Sequence, residues 1–348
     1  MSRSHVGLIL CLSFVTLEAF QAVYLGAVFQ EVDSFAVGGL VFGISVVGCT
    51  LATAVLRPQE LAAAMRAWKI VLILNLFAAL AWSAYFIAVQ LIEPAVVFTI
   101  FSGMVPLGTV IGAWLGLPEA GGPRRRLAVI GNAVILAAIL HLGTITVFGL
   151  SGFVRGGQTA AIAGVGLSAL SGACTAFVIL YSVRLNGKGV GPLAQFGLRF
   201  IAYTFLALAA FLAGLDDKGV QADPLKLAVT VLIGFAVIAF PLYLVQKAVP
   251  LIPASTIAAV TALGPAMVFF MQLFEGRIDY STSTLAGLVI YMIGALLTVY
   301  GAVAPATLRS TRHGRLSQAR ARYRDGTATR RTRTPDGCRD RNHPHRRP

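Results

Sequence analysis

Apolar stretches of roughly 20 residues recur along the first 305 positions, each long enough to cross a hydrocarbon core of about 30 Å. Ten spans are predicted, at 6–29, 35–55, 69–91, 95–116, 126–148, 158–182, 192–214, 225–248, 253–274 and 283–304. The dividers are least marked near Asp33 and Glu93. Helices are the expected form, because lipid offers the backbone no hydrogen-bond partners. A barrel would instead show strands of about ten residues with alternating polarity, and that alternation is not visible. The first span is too long for a signal peptide, holds Glu18 and Gln21 at its middle, and has no convincing cleavage site before the next span. It is expected to stay in the mature protein.

A second pattern overlies the first. Ala81-Trp82-x-x-Tyr85, Pro94-Ala95 and Pro106 correspond to Ala239-Phe240-x-x-Tyr243, Pro253-Ala254 and Pro265, with twelve residues between the prolines in both copies. Phe20-x-x-x-Tyr24 is echoed by Phe177-x-x-x-Tyr181 about 157 residues later. With five spans per copy, the second copy enters the membrane from the opposite side, so the repeats are predicted to be inverted. The expected organisation is a first five-helix repeat at 6–148, a second at 158–304 and a tail at 305–348.

Composition agrees with this picture: the chain is 57% hydrophobic and 12% charged, where a soluble domain is about one quarter charged. Basic residues set the orientation. Arg3, Arg57, Arg66, Lys69, Arg124, Arg125, Arg126, Arg184, Lys188 and Lys247 fall on one side, against Arg155, Lys218, Lys226 and Arg277 on the other. Both termini are therefore expected in the cytoplasm of a multi-pass cell-membrane protein. Asp33, Glu93, Asp216, Asp217, Asp223 and Glu275 gather on the outer side. Residues 307–348 hold thirteen arginines and three aspartates with no apolar periodicity, which predicts a disordered basic cytoplasmic tail. Its candidate role is attachment to anionic lipid; no specific nucleic-acid partner is expected. Cys11, Cys49, Cys174 and Cys338 match neither a metal motif nor a disulfide framework.

The glycine-rich fourth span with Pro106 and the following Glu119, the stretch from Pro253 through Pro265 to Gly287 and Gly294, and the Arg199-Phe200 pair carry a family likeness. In these residues the chain resembles the drug/metabolite transporter superfamily, specifically its ten-helix EamA-type members, over about 6–304. The glutamate about thirteen residues after the proline is kept at Glu119; in the second copy Glu275 follows Pro265 by ten, and no role is carried onto it. The resemblance implies an all-α integral membrane protein, with ten transmembrane helices as two inverted five-helix repeats around a central cavity. Many such proteins export amino acids or other small metabolites.

Candidate cavity residues are polar groups that hydrocarbon would otherwise exclude. Glu18 lies about twelve residues into the first span, near the bilayer midplane. A charged acid there costs about 2.5–3.5 kcal/mol, so it should face a cavity, find a partner or take up a proton. It is thus the candidate for proton coupling. The small multidrug resistance proteins of the same superfamily also carry a first-helix glutamate, a resemblance of position; the second copy has Thr175 at the matching place. Gln21 follows on the same helix face. Tyr24 and Tyr181 suit a wet cavity wall, and Trp82 and Tyr85 share one face of the third span with Asn75. Tyr243 and Gln246 lie beside Pro241, and Gln272 completes the set. Arg199, seven residues into its span, either snorkels to the headgroups or neutralises an anionic substrate.

No catalytic residue, cofactor or metal site is expected, and an enzyme is disfavoured: Gly149-Leu150-Ser151-Gly152 has no histidine after it until His313. No phosphate-binding loop is visible for ATP. The predicted function is a secondary exporter of small metabolites such as amino acids, working in the lipid bilayer as a monomer or homodimer. A phosphorylated cargo, or a non-transporting sensor or scaffold, is the alternative. Of the basic residues, only Arg199 is available to a phosphate.

Overall fold

Prolines and acids start the helices where the apolar runs begin. In the computed structural model, Pro94 opens α5 (Pro94–Trp114), Pro192 opens α8 (Pro192–Leu198) and Pro224 opens α10 (Pro224–Gly234). The missing N–H of proline is harmless in a first turn, and its fixed φ is already helical. Asp33 caps α2 (Ser34–Leu56) by accepting the Ala36 N–H at 2.8 Å, and Asp223 accepts the Leu225 N–H of α10 at 2.9 Å.

The structure describes residues 3–120, 126–216, 218, 223–248, 251–252 and 254–303. They belong almost wholly to one compact unit, Met1–Ala302; the predicted tail at 305–348 lies outside the described residues. The remaining helices are α1 (Arg3–Val28), α3 (Pro58–Arg66), α4 (Trp68–Leu91), α6 (Arg126–Val147), α7 (Gly157–Asn186), α9 (Ile201–Leu212), α11 (Phe240–Ala248), α12 (Ala254–Thr261), α13 (Gly264–Gln272) and α14 (Thr282–Val303). No strand occurs among the described residues, and nine helical segments in them are long and apolar enough to cross a membrane. Large apolar side chains such as Val47, Leu51, Leu140, Phe205, Leu232 and Ile293 stand exposed, as a lipid-facing surface requires.

The helical segments differ from unbroken spans in four places. The stretch predicted at 253–274 is divided into α12 and α13, with Ala262 and Leu263 between them. Pro265 lacks the N–H that would bond back to Thr261, and Gly264 before it adds backbone freedom. Gly264 also lets α13 approach closely, since a Cβ there would lie 2.6 Å from the Phe98 ring of α5. Pro106, its counterpart in the repeat, sits inside an unbroken α5. The seventh predicted span is interrupted at Arg199 and Phe200, between α8 and α9. The eighth carries a π-helical turn at Phe235–Ala239, immediately before Pro241 breaks the hydrogen-bond ladder. The fourth departure is α3, a short helix in what composition marks only as a polar link; its Glu60 accepts the Gly191 N–H at 3.0 Å and so holds the start of α8.

The closest helix crossings use glycine. A Cβ on Gly172 of α7 would meet the Phe101 carbonyl oxygen at 2.2 Å, and one on Gly108 of α5 would meet Ala176 at 2.6 Å. α7 lies against both α4 and α5, and these glycines close its crossing with α5. α1 packs in turn on α11, α12 and α13, and α2 on α8 and α9. Gly131 of α6 and Gly294 of α14 let those two helices touch backbone to backbone; Asn132 accepts from Thr298 at 3.3 Å, and His141 Nε2 meets the Ser283 carbonyl at 3.1 Å. The main core is aromatic, with Phe42 of α2 stacked on Phe200 at 4.1 Å and edge-on to Trp82 at 4.9 Å and Tyr203 at 5.1 Å.

Candidate substrate-binding site

The third turn from the C-terminal end of α1 carries the most unusual side chain in the bundle. Glu18 is half-buried on a helix packed against α4, α5, α11, α12 and α13. It belongs to none of the five ion pairs among the described residues. Its carboxyl lies within Coulombic reach of Tyr85 on α4 and of Cys11, two turns earlier on the same face of α1. Tyr85 is buried and its hydroxyl has no hydrogen-bond partner among the described residues. A half-buried acid without a counter-ion, within Coulombic reach of an unsatisfied phenol, is a costly arrangement, and polar solutes or protons are the species that would relieve it.

Aromatic rings close the site. Trp82 is edge-on to Tyr85 at 6.0 Å and to Phe86 at 5.4 Å, and Phe101 flanks Tyr85 at 5.5 Å. Gln21 is buried on α1, and Tyr24 stacks on Phe20 at 5.7 Å. Leu12, Thr16 and Phe20 form an exposed stripe on the same helix at four-residue spacing.

Other predicted site residues lie elsewhere. Tyr181 stacks on Phe77 at 6.2 Å and sits under the Arg184 guanidinium at 5.4 Å, close to the end of α7. There Arg184 clamps Glu119 through Nε at 2.6 Å and Nη2 at 2.8 Å, which holds the Glu119 carboxyl below its ordinary range. Tyr243 is 49% exposed with Lys247 over its ring at 5.4 Å, while the Gln246 side chain lies outside the described ones. An open cleft of about 250 Å³ is lined by Ala63, Arg66, Ala67 and Lys188, none of them in the predicted set, although Tyr181 packs against the same cluster as Ala63 and Ala67.

Gln272 joins a different polar centre, one that sequence reasoning missed. Glu93 is fully enclosed, not an outer-loop acid in solvent. Its Oε2 accepts from the Gly152 N–H at 2.8 Å and the Thr284 hydroxyl at 2.9 Å, and its Oε1 from the Gln272 amide. Gln272 Oε1 in turn accepts the Ala95 N–H at 3.0 Å. Burial raises the Glu93 carboxyl above its ordinary value, against the opposing pull of these three donors. A second network joins α2, α4 and the segment after α9: Asp216 accepts from the Ser34 N–H at 2.8 Å and hydroxyl at 2.7 Å, and Lys218 bridges Asp216 and Gln90. Asn75 forms a third, donating to the Leu198 carbonyl at 2.8 Å and accepting the Ala202 N–H at 2.9 Å, so that it bridges the interruption between α8 and α9. An acid beside a helix-opening proline was the only local signal for Glu93.

No protein-family model matches the chain, and no curated protein matches it in sequence. Eleven chains of known structure are similar in fold. One, a crystal structure whose description names no activity, superposes with a TM-score of 0.53 at 19% identity, covering 85% of this chain and 96% of its own. The arrangement of helices is thus shared with a solved protein of nearly the same extent.

Proposed function

We propose that the protein is a secondary carrier exporting small polar or amphipathic metabolites, amino acids among them, and that it is a ten-helix EamA-type member of the drug/metabolite transporter superfamily. The observation that carries this reading is Glu18, an acid without an ion-pair partner at mid-depth of an apolar helix and within Coulombic reach of Tyr85, whose hydroxyl is unsatisfied. Solvated soluble proteins place such acids at the surface; in a lipid-embedded bundle they line pathways for ions and polar solutes.

The pattern of helix contacts supports an inverted five-helix repeat. Exchanging each span for the one five later turns the α1–α11 contact into α7–α4, and the α1–α13 contact into α7–α5. The α2–α8/α9 and α6–α14 contacts map onto themselves. Two halves related in this way can rock around a shared chamber, with α12 and α13 as the discontinuous helix common in such carriers. Under this reading both termini are cytoplasmic, and Glu18 exchanges protons as cargo moves.

The test is a flux screen of radiolabelled amino acids and other small metabolites with the purified chain in proteoliposomes. The expected result is counterflow of at least one class above protein-free vesicles. Zero flux for every class would overturn the carrier reading in favour of a membrane sensor or scaffold.

A further inference from the structure

Arg199 does not snorkel. It is 7% exposed, at the interruption between α8 and α9, with its guanidinium 5.0 Å from the Phe196 ring and 4.6 Å from the Phe200 ring. Phe200 continues inward onto Phe42 at 4.1 Å and Trp82 at 6.3 Å, so the cation closes one end of the aromatic core that borders the Glu18–Tyr85 site. No described carboxylate forms an ion pair with it. Its Nε and Nη2 are enclosed and have no hydrogen-bond partner among the described residues. Those two nitrogens form one edge of the guanidinium fork. Arg184 uses the same edge to clamp both oxygens of Glu119.

We infer that Arg199 is the anchor for a carboxylate on the transported solute, an inference that rests on the carrier reading. A buried guanidinium with a free fork edge is complementary to a planar monoanion. A phosphate ester would call for further cations, and among the described residues Lys218, Arg184, Arg277, Lys226 and Arg57 are already ion-paired with Asp216, Glu119, Glu275, Glu31 and Glu60. Asn75 satisfies the backbone groups freed at the break, which leaves the side chain of Arg199 as the unsatisfied donor there. The flanking Phe196 and Phe200 rings suit a carboxylate attached to an apolar body.

The test compares benzoate with its uncharged isostere benzamide in thermal-stability titrations of the detergent-purified full chain. Benzoate should stabilise the wild-type protein and benzamide should not. Arg199→Gln should weaken the apparent benzoate affinity by about tenfold or more, with Arg199→Lys between the two. Arg199→Gln removes a cation that has no partner to orphan, so a monodisperse gel-filtration peak is expected for it. An equal response to benzamide, an undiminished response in Arg199→Gln, or no response in the wild type would each overturn the inference. Loss of the benzoate response on adding phosphatidylglycerol would also overturn it, by assigning the fork to a lipid phosphate. Metabolite flux in proteoliposomes separates the two readings: flux without a benzoate response removes the carboxylate anchor alone, and a benzoate response without flux removes the carrier reading and leaves Arg199 as a carboxylate-binding site without transport.

Discussion

Glu93 and Gln272 are 179 residues apart in the chain, and the Gln272 amide donates to the Glu93 carboxylate inside the bundle, where neither side chain is exposed. Through this contact the start of α5 is fixed to the end of α13, and the Gly152 and Thr284 donors tie in the segment before α7 and the first turn of α14. Four segments converge on one carboxylate.

Replacing Glu93 by Leu should therefore destabilise the protein strongly, by about 1–3 kcal/mol for each donor left without an acceptor. Glu93→Gln should cost less. A lower unfolding temperature for Glu93→Leu, followed by intrinsic fluorescence in detergent, checks this; a wild-type value would mean that the donors find other acceptors.

The same carboxyl sets a pH dependence. Its value in the folded protein is raised above the ordinary 4.5, so its contribution is fully present below 4.5 and is lost as pH rises through the raised value. Glu119, lowered by Arg184, acts in the opposite sense: its contribution is present above 4.5 and lost as pH falls through the lowered value. Unfolding temperatures measured across pH should show the alkaline-side loss diminished in Glu93→Gln and the acid-side loss diminished in Glu119→Gln. Curves identical to wild type in both variants would contradict the assignment.

At the α5–α7 crossing, Gly172→Ala should destabilise by about 1–3 kcal/mol, because its Cβ would meet the Phe101 backbone oxygen at 2.2 Å and backbone cannot rotate aside. Gly166, on the same helix, has nothing within 4 Å of its Cβ position, so Gly166→Ala should be neutral or stabilising by up to about 1 kcal/mol. The difference between two alanines on one helix isolates packing from helix propensity.

Glu18→Gln should leave a folded, monodisperse protein, since Glu18 forms no ion pair among the described residues. In proteoliposomes it should flatten the pH dependence of flux by an order of magnitude or more over two pH units. A profile that superposes on wild type would remove the proton-coupling role and leave the carrier itself untouched.

The apolar runs and the helix starts at Pro192 and Pro224 were legible along the chain, and those at Asp33 and Pro94 less sharply, because each depends on a few adjacent residues and on whether a backbone N–H exists. Glu18 and Tyr85 were legible as unusual polar groups, and the fold brings them within electrostatic reach. Tyr181, Tyr243 and Gln272 were equally conspicuous in sequence, yet they occupy other regions, since polarity alone does not say which helix face meets which neighbour.

By itself, the sequence determined that this chain is a bundle of lipid-length helices with a duplicated proline pattern. Only the tertiary structure decided that a span is interrupted just before Pro265 but not at Pro106, that Arg199 is enclosed between two rings, and that Glu93 is a buried junction. The reason is range: hydrophobicity and proline geometry act over a turn or two of helix, whereas a buried polar atom is satisfied by partners that, for Glu93, stand 59, 179 and 191 residues away.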